Sequence, residues 1–562
     1  MQSLPFELLE NIGALVERLE DRKSLRRTFT TFGHALKPYV LAEVTLNIYK
    51  GNLQPGFGLL GALVNQPEQY SGHVRTLNIL SLSPLHYPDP DSIYKKFDDS
   101  YAALEWKSDC DYDSIVEWVS DGQNAPLHEM LKTLLGPAVK SLHKLEEIRW
   151  HWHSKDSSWT LETLAASLST LRNIRAFTFR YTLSRSFKRN SAPTFLPNLP
   201  ELKTLSISAS QSGKEDVSVC EVVKDLANHL LPQTMSLSSL HLDTGAWSFS
   251  LPLSQVYDEF DHSNLSHLGL MGWPVRTDDL AFLSASSNLT SLELHRVGNG
   301  DLSGPVFKLL ASNGIKLRRL VTDFVTEKTL DYLESYSGLE VLSLKCHRKF
   351  PWIFFELAER FYQKTLPLHQ DTLLQLDVQA VFVGLWCFSE SNVESIRQCR
   401  NLQSLSMNIT PQGIHMQPES QLERVLFPAH EKDAPNLVRL LLNMINSSLP
   451  RMQTLYVDWA RPTVTCSGRT SSHKTPNDFC ICNNERAIAY CKGARKRIRA
   501  SIECGQGEVG SRGLDDRSVL RWVKMYVGGQ RVIEKDVSEQ TVKKRSVSES
   551  VKSMMSNVLK LG

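Results

Sequence analysis

Residues 219–242 read VCEVVKDLANHLLPQTMSLSSLHL. In the first half, Val219, Val222, Val223, Leu226 and Leu230 fall on one helical face, the spacing of an amphipathic segment. In the second half, LSSLHL (237–242) alternates apolar and polar residues with period two, as a half-buried strand does. The stretch therefore predicts a helix feeding a strand. Its strand pattern, apolar-x-x-apolar-x-apolar, occurs elsewhere as VRTLNI (74–79), LEEIRW (145–150), IRAFTF (174–179), LKTLSI (202–207), LSHLGL (265–270) and LTSLEL (289–294). It continues as LRRLVT (317–322), LEVLSL (339–344), LLQLDV (373–378), LQSLSM (402–407) and MQTLYV (452–457). Nearly all of these begin 22 to 35 residues apart. Helical patterns precede several of them, among them TLETLAASLSTL, EKTLDYLESYS and APNLVRLLLNMINSSL (434–449). Helix–strand alternation with short connections implies parallel strands with helices packed behind them.

A motif of this kind at a near-constant interval is the mark of leucine-rich repeats. The fold expected is thus α/β: a leucine-rich-repeat solenoid, or horseshoe, over residues 70–460. The physics of one unit explains why the units come as an array. In LKTLSIS, Leu202, Leu205 and Ile207 point inward and leave Thr204, Ser206 and Ser208 on the other sheet face. Burying each apolar side chain is worth roughly 1.5–3 kcal/mol, whereas ordering each residue of the unit costs about 1–2 kcal/mol. Three buried side chains cannot offset the ordering of a whole unit, so neighbours must close the core. A conventional globular α/β protein with leucine-rich strands is the plainer alternative. The 71-residue gap between the first two motifs leaves room for an insertion near 84–125, where paired prolines, acids and aromatics cluster.

Bulk properties narrow the function. Hydrophobic content of 41% and charged content of 22% are ordinary for folded soluble chains. No apolar run approaches the ~18 residues of a membrane span, and no amino-terminal signal pattern is present. The expected compartment is cytoplasm or nucleus, with no membrane partner. Residues 461–562 carry 20 basic against 10 acidic residues, leaving 43 against 51 in 1–460. This basic, cysteine-containing tail is expected to be largely disordered, and nucleic acid is not an expected partner. If nucleic acid did bind there, affinity would fall steeply with salt. Cys466, Cys480, Cys482, Cys491 and Cys504 offer no pair of Cys-x-x-Cys knuckles, so no zinc site is assigned.

The amino terminus supplies a second signature, SLPFELLENIGALVERLEDRKSLRRTFTTFGHALKPYVLAEVTLNI (3–48). Pro5 suits the first helical turn, and Leu8, Leu9, Ile12, Leu15, Val16 and Leu19 form an apolar face. A segment this short cannot readily support its own core, so part of that face needs a cover. The pattern Leu4-Pro5-x-Glu7-Leu8-Leu9-x-x-Ile12, then Asp21-Arg22-Lys23-x-Leu25, Phe32, Leu36 and Val44-x-Leu46, resembles an F-box of the fungal type that precedes leucine-rich repeats. The resemblance implies a small all-helical domain over 1–48 that docks on a Skp-family adaptor and, through it, a cullin-RING ubiquitin ligase. It further implies that Leu4, Pro5, Leu8, Leu9, Ile12, Leu25 and Phe32 form the adaptor surface, while the repeats hold a target protein. Gly13 departs from the family pattern and would cost the helix about 1 kcal/mol relative to Ala. The competing expectation is a repeat scaffold unconnected to ubiquitin, with residues 1–48 as a cap.

Alternation assigns the target-facing, concave positions: Arg149, His151, Arg180, His241, Asp243, His267, Glu293, His295 and Lys345. This mixed polar set suits protein recognition. His151 and His153 share a face but lack a neighbouring carboxylate or cysteine cluster, so no metal is assigned. The sequence holds no phosphate-cradling glycine loop, nucleophile elbow or zinc-protease motif. The function expected is therefore binding, without catalysis or cofactor.

Overall fold

A computed structural model describes residues 6–16, 19–28, 30–85, 125–153, 156–183, 196–211, 217–234, 236–244, 263–273, 275, 280–295, 303–323, 325–346, 353–380, 384–409, 434–459, 524–527 and 530–533. The chain forms two compact units, Met1–Asn288 and Leu289–Gly562.

The first unit opens with helices α1 (Phe6–Leu15), α2 (Leu19–Thr28), α3 (Thr30–Ala35) and α4 (Lys37–Val40). Then come β1 (Glu43–Tyr49), α5 (Leu53–Asn65), α6 (Pro67–Tyr70), β2 (Thr76–Ser83), α7 (Ala125–Lys140), β3 (Glu147–His153), α8 (Ser158–Leu168) and β4 (Ala176–Leu183). It continues with β5 (Thr204–Gln211), α9 (Val217–Leu230), β6 (Ser239–Asp243), β7 (His267–Met271) and α10 (Leu280–Ala285). Each strand from β1 to β7 pairs in parallel with the next.

The second unit runs β8 (Ser291–His295), α11 (Ser303–Ser312), β9 (Arg319–Thr322), α12 (Glu327–Glu334), β10 (Val341–Cys346) and α13 (Ile353–Arg360). After a π-helical turn at Phe361–Thr365 follow β11 (Gln375–Ala380), α14 (Val393–Arg397), β12 (Ser404–Ile409), α15 (Ala434–Ser448) and β13 (Thr454–Trp459). Strands β8 to β13 are likewise parallel. Each unit is thus α/β, with a parallel sheet threaded by helices.

The register explains the periodicity. Leu292, Leu320, Leu342, Leu376, Leu405 and Leu455 are successive cross-strand partners, and each is at most 1% exposed. In the first unit the equivalent row is Val44, Leu77, Ile148, Phe177, Leu205, Leu240 and Leu268, all buried. Beside it, Trp150 meets Phe179 edge-on at 5.4 Å, and Trp152 stacks on Tyr181 at 4.6 Å. Burial pushes the Tyr181 phenol up to about 12, so it stays un-ionised. Polar ties connect adjacent strand entries: Asn173, Asn288 and Asn401 each donate from Nδ2 to a carbonyl 25 to 30 residues earlier, at His143, Ser263 and Asp371.

One expectation needs correction. The all-helical reading of 1–48 fails at its end, because Glu43–Tyr49 is strand β1. LAEVTL (41–46) carries the repeat spacing itself, and Leu41, Val44, Leu46 and Ile48 are buried. The strand–helix alternation therefore begins near residue 43, ahead of the expected residue 70. Further along, β2 and β3 are direct partners, Thr76 opposite Glu147, with no strand between them in the sheet. Residues 86–124 of the expected insertion lie outside the described residues. The tail contributes β14 (Lys524–Val527), parallel to β13, and β15 (Gln530–Ile533), antiparallel to β14. Gly528-Gly529 between two short apolar-alternating stretches was the sequence signal for that hairpin. The tail cysteines and the rest of 461–562 lie outside the described residues.

Candidate functional site

Two surfaces carry the expected site residues. The first is helix α1. Leu9 is 4% exposed and packs with Ala35, Leu36 and Val40, with Leu25 and Tyr39 lying against that cluster. Gly13 sits on the same side, and a Cβ added there would stand 2.1 Å from Leu36 Cδ2. The glycine that weakens the isolated helix is what lets α1 approach Leu36. The helix thus has two apolar faces. Leu8, Ile12 and Leu15, spaced i, i+4 and i+7, point into solvent at 47%, 39% and 82% exposure. The α1–α2 turn is closed by Arg22, whose Nε donates to the Val16 carbonyl at 2.6 Å while its guanidinium lies over the Tyr39 ring.

Of the expected adaptor residues, Leu8 and Ile12 are therefore presented outward. Leu9 is corrected: it is buried in the helical core, where the short helices pack against one another, while Leu25 is partly buried and lies against that core. Leu4 and Pro5, and the Phe32 side chain, lie outside the described residues. Leu15 belongs to the exposed stripe, and its spacing from Leu8 was the signal for it.

The second surface is the polar sheet face, where strand alternation turns side chains away from the buried rows. In the first unit, Arg149, Thr178 and Ser206 are successive register partners, as are His151, Arg180 and Ser208. Arg149 is held by Glu147 at 2.7 Å and faces Glu43 at 3.6 Å. Glu43 also accepts from Asn78 Nδ2 at 2.6 Å. His151 Nε2 lies 2.8 Å from Thr182 Oγ1. Arg180 and His267 are exposed, and His241 and Asp243 are half-buried. His241 lies across Gly269 of β7, where a Cβ would come within 2.1 Å of its Nδ1; the absent side chain makes room for the imidazole.

In the second unit, Glu293 lies 2.9 Å from His295 Nε2 and 3.8 Å from Arg319. His295 is only 6% exposed, which corrects its assignment to a presented surface: its ring is turned onto Glu293 and enclosed. Lys345 is half-buried, and Asp377 accepts from Ser343 at 2.8 Å and Gln379 at 3.2 Å. The sequence reading misses Glu43, because its helical segment extends to residue 48, and Asn78, which lies on an expected strand but outside the candidate set.

Among the described residues no group of three or more His, Cys, Asp or Glu is placed to hold a metal ion. Among them, too, no helix is long and apolar enough to cross a membrane. Cys387 and Cys399 are buried free thiols that burial pushes up to about 12, so neither is a ready thiolate. No protein-family model matches the chain, and no curated protein matches it.

Proposed function

We propose that the protein is a non-catalytic substrate receptor of a cullin-RING ubiquitin ligase. In this reading the amino-terminal helices are an F-box-like hook for a Skp-family adaptor, and the strand–helix array is a leucine-rich-repeat solenoid whose polar face holds the target. The observation that carries it is the stripe Leu8, Ile12 and Leu15, left in water while Leu9 and Gly13 of the same helix seal onto Leu36. A helix that served only as a cap would turn its larger apolar stripe inward, since each such side chain is worth roughly 1.5–3 kcal/mol when buried. The mechanism is effective concentration: one surface tethers the ligase and the other retains the target beside the ubiquitin-carrying enzyme.

The test is capture of purified Skp-family adaptor by the full chain, with and without Leu8→Asp plus Ile12→Asp. The reading expects salt-tolerant capture that the double variant abolishes. Absence of capture by the unaltered chain, or capture indifferent to both substitutions, rejects it and leaves the scaffold with a helical cap.

A further inference from the structure

The polar face of β3–β5 holds a cation, Arg180, that no described residue neutralises. Arg180 is exposed and has no hydrogen-bond or ion-pair partner among the described residues. Its register partners are His151 on β3 and Ser208 on β5. Two residues earlier along the strand stands Thr178, between Arg149 and Ser206. Thr178, Ser206 and Ser208 are half-buried hydroxyls that also lack a hydrogen-bond partner among the described residues. Strands lie about 4.8 Å apart and same-face residues about 6.6 Å apart, so these donors surround one guanidinium within the reach of a single ligand group. Beneath them the backbone is pinned by Phe177, Phe179 and Tyr181, each at most 2% exposed.

We infer that this grid is the anchor point for an acidic side chain, an Asp or Glu, on an extended segment of the partner protein. The inference rests on the reading of this sheet face as the target-holding surface. Charge matching selects a carboxylate. Arg149 is already met by two glutamates, Glu147 and Glu43, so that corner holds an excess of negative charge and Arg180 is the cation left for a ligand. A phosphoryl group would bring about −1.5 to −2 beside that negative charge, with only Arg180 to meet it. A carboxylate brings a single charge, fits the planar guanidinium fork in two parallel hydrogen bonds, and leaves lone pairs for Thr178 and Ser208. Asp243, aligned with Ser208 on the next strand, confines the acid to the β3–β5 side of the face.

The experiment pans a random-peptide phage library against the full chain and against Arg180→Glu and Ser206→Tyr variants. The unaltered chain should enrich Asp- or Glu-containing peptides, Arg180→Glu should switch the enrichment to Lys or Arg, and Ser206→Tyr should block both. For a selected peptide, replacing its acid by the neutral amide should weaken binding roughly tenfold or more, as loss of a charged hydrogen-bonded pair does. Selection without acidic enrichment, failure to select any peptide, or a roughly tenfold preference for a phosphoserine version overturns the inference; a single charge–charge hydrogen bond sets that scale. Peptides blocked by Ser206→Tyr but indifferent to Arg180→Glu overturn the carboxylate alone. Peptides indifferent to both variants overturn the target-face reading itself. Adaptor capture by the same variants should be unchanged, which separates this result from the fate of the amino-terminal hook.

Discussion

Along the row Leu292, Leu320, Leu342, Leu376, Leu405 and Leu455, no side chain keeps more than 1% of its surface in water, whereas α1 leaves Leu8 at 47%, Ile12 at 39% and Leu15 at 82%. Both regions are leucine-rich, and both are regular secondary structure. They differ in what comes next to them. Every strand in the row has a neighbour carrying the same side chain at the same height, so each leucine closes the gap left by the last. Helix α1 has one inner neighbour, the Leu36 side of α3–α4, and nothing described on its outer side. Composition alone therefore does not tell a buried row from an exposed one; the geometry of the neighbour does.

Four substitutions or conditions probe this contrast, taken from the largest effect to the smallest. Leu376→Ala or Leu405→Ala removes a rung with occupied rows on both sides. The expected loss is about 2–5 kcal/mol by urea unfolding, the range for a large-to-small core change whose cavity cannot collapse. A loss well below that would mean the row is not close-packed. Gly13→Ala tests the inner side of α1. Helix propensity alone predicts a gain of about 1 kcal/mol; the approach of Leu36 predicts instead a net loss of roughly 1 kcal/mol through overpacking. The sign, read as a change in urea midpoint or in protease sensitivity of the first 40 residues, decides between them.

Acidification gives a smaller effect in the second unit. His369 is 1% exposed, accepts from the Leu339 N–H at 3.4 Å, and faces the Leu333 carbonyl at 3.0 Å. Burial lowers its pKa below the ordinary value of 6.5. Its neutral form is the one the fold accommodates, so the unfolded chain takes up the proton first. The stability it contributes is present above about pH 6.5 and is lost as pH falls through the depressed folded value. Denaturation between pH 7 and 5 should show stability falling with acid, and His369→Gln should flatten that slope. At lower pH, the Arg360 hydrogen bond that holds the Glu334 carboxyl down at about 2 adds loss below the ordinary carboxylate range, fully expressed only as pH approaches that value.

The smallest stability effect belongs to the exposed stripe. Leu8→Asp plus Ile12→Asp should change unfolding free energy by no more than about 0.5 kcal/mol per site, as solvent-facing positions do. A larger loss would show that the stripe is covered within the folded chain.

Most strands were legible because period-two alternation in a leucine motif leaves little choice of register: Leu205 and Ile207 had to point opposite to Ser206 and Ser208. Strand β1 was less legible, since LAEVTL follows the helices without a break and its spacing fits the end of the amino-terminal pattern. The pairing of β14 with β13 joins residues some 70 positions apart, and no local pattern specifies it. At the candidate surfaces the sequence named Arg149, Arg180 and His295 alike, yet the fold neutralises the first, exposes the second and encloses the third.

What the sequence determined by itself, for most segments, was the local alternation: which form strands, which form helices, and which side of each is apolar. Those follow from backbone periods of 2 and 3.6 that any single segment obeys. What only the tertiary structure decided was which apolar side meets a neighbour and which charge meets a counter-charge. Leu9 and Leu8 are adjacent in the chain and chemically identical, but only Leu9 faces Leu36; Arg149 and Arg180 share a sheet face, but among the described residues only Arg149 has glutamates within reach. Proximity of that kind depends on segments distant in sequence, so no local reading contains it.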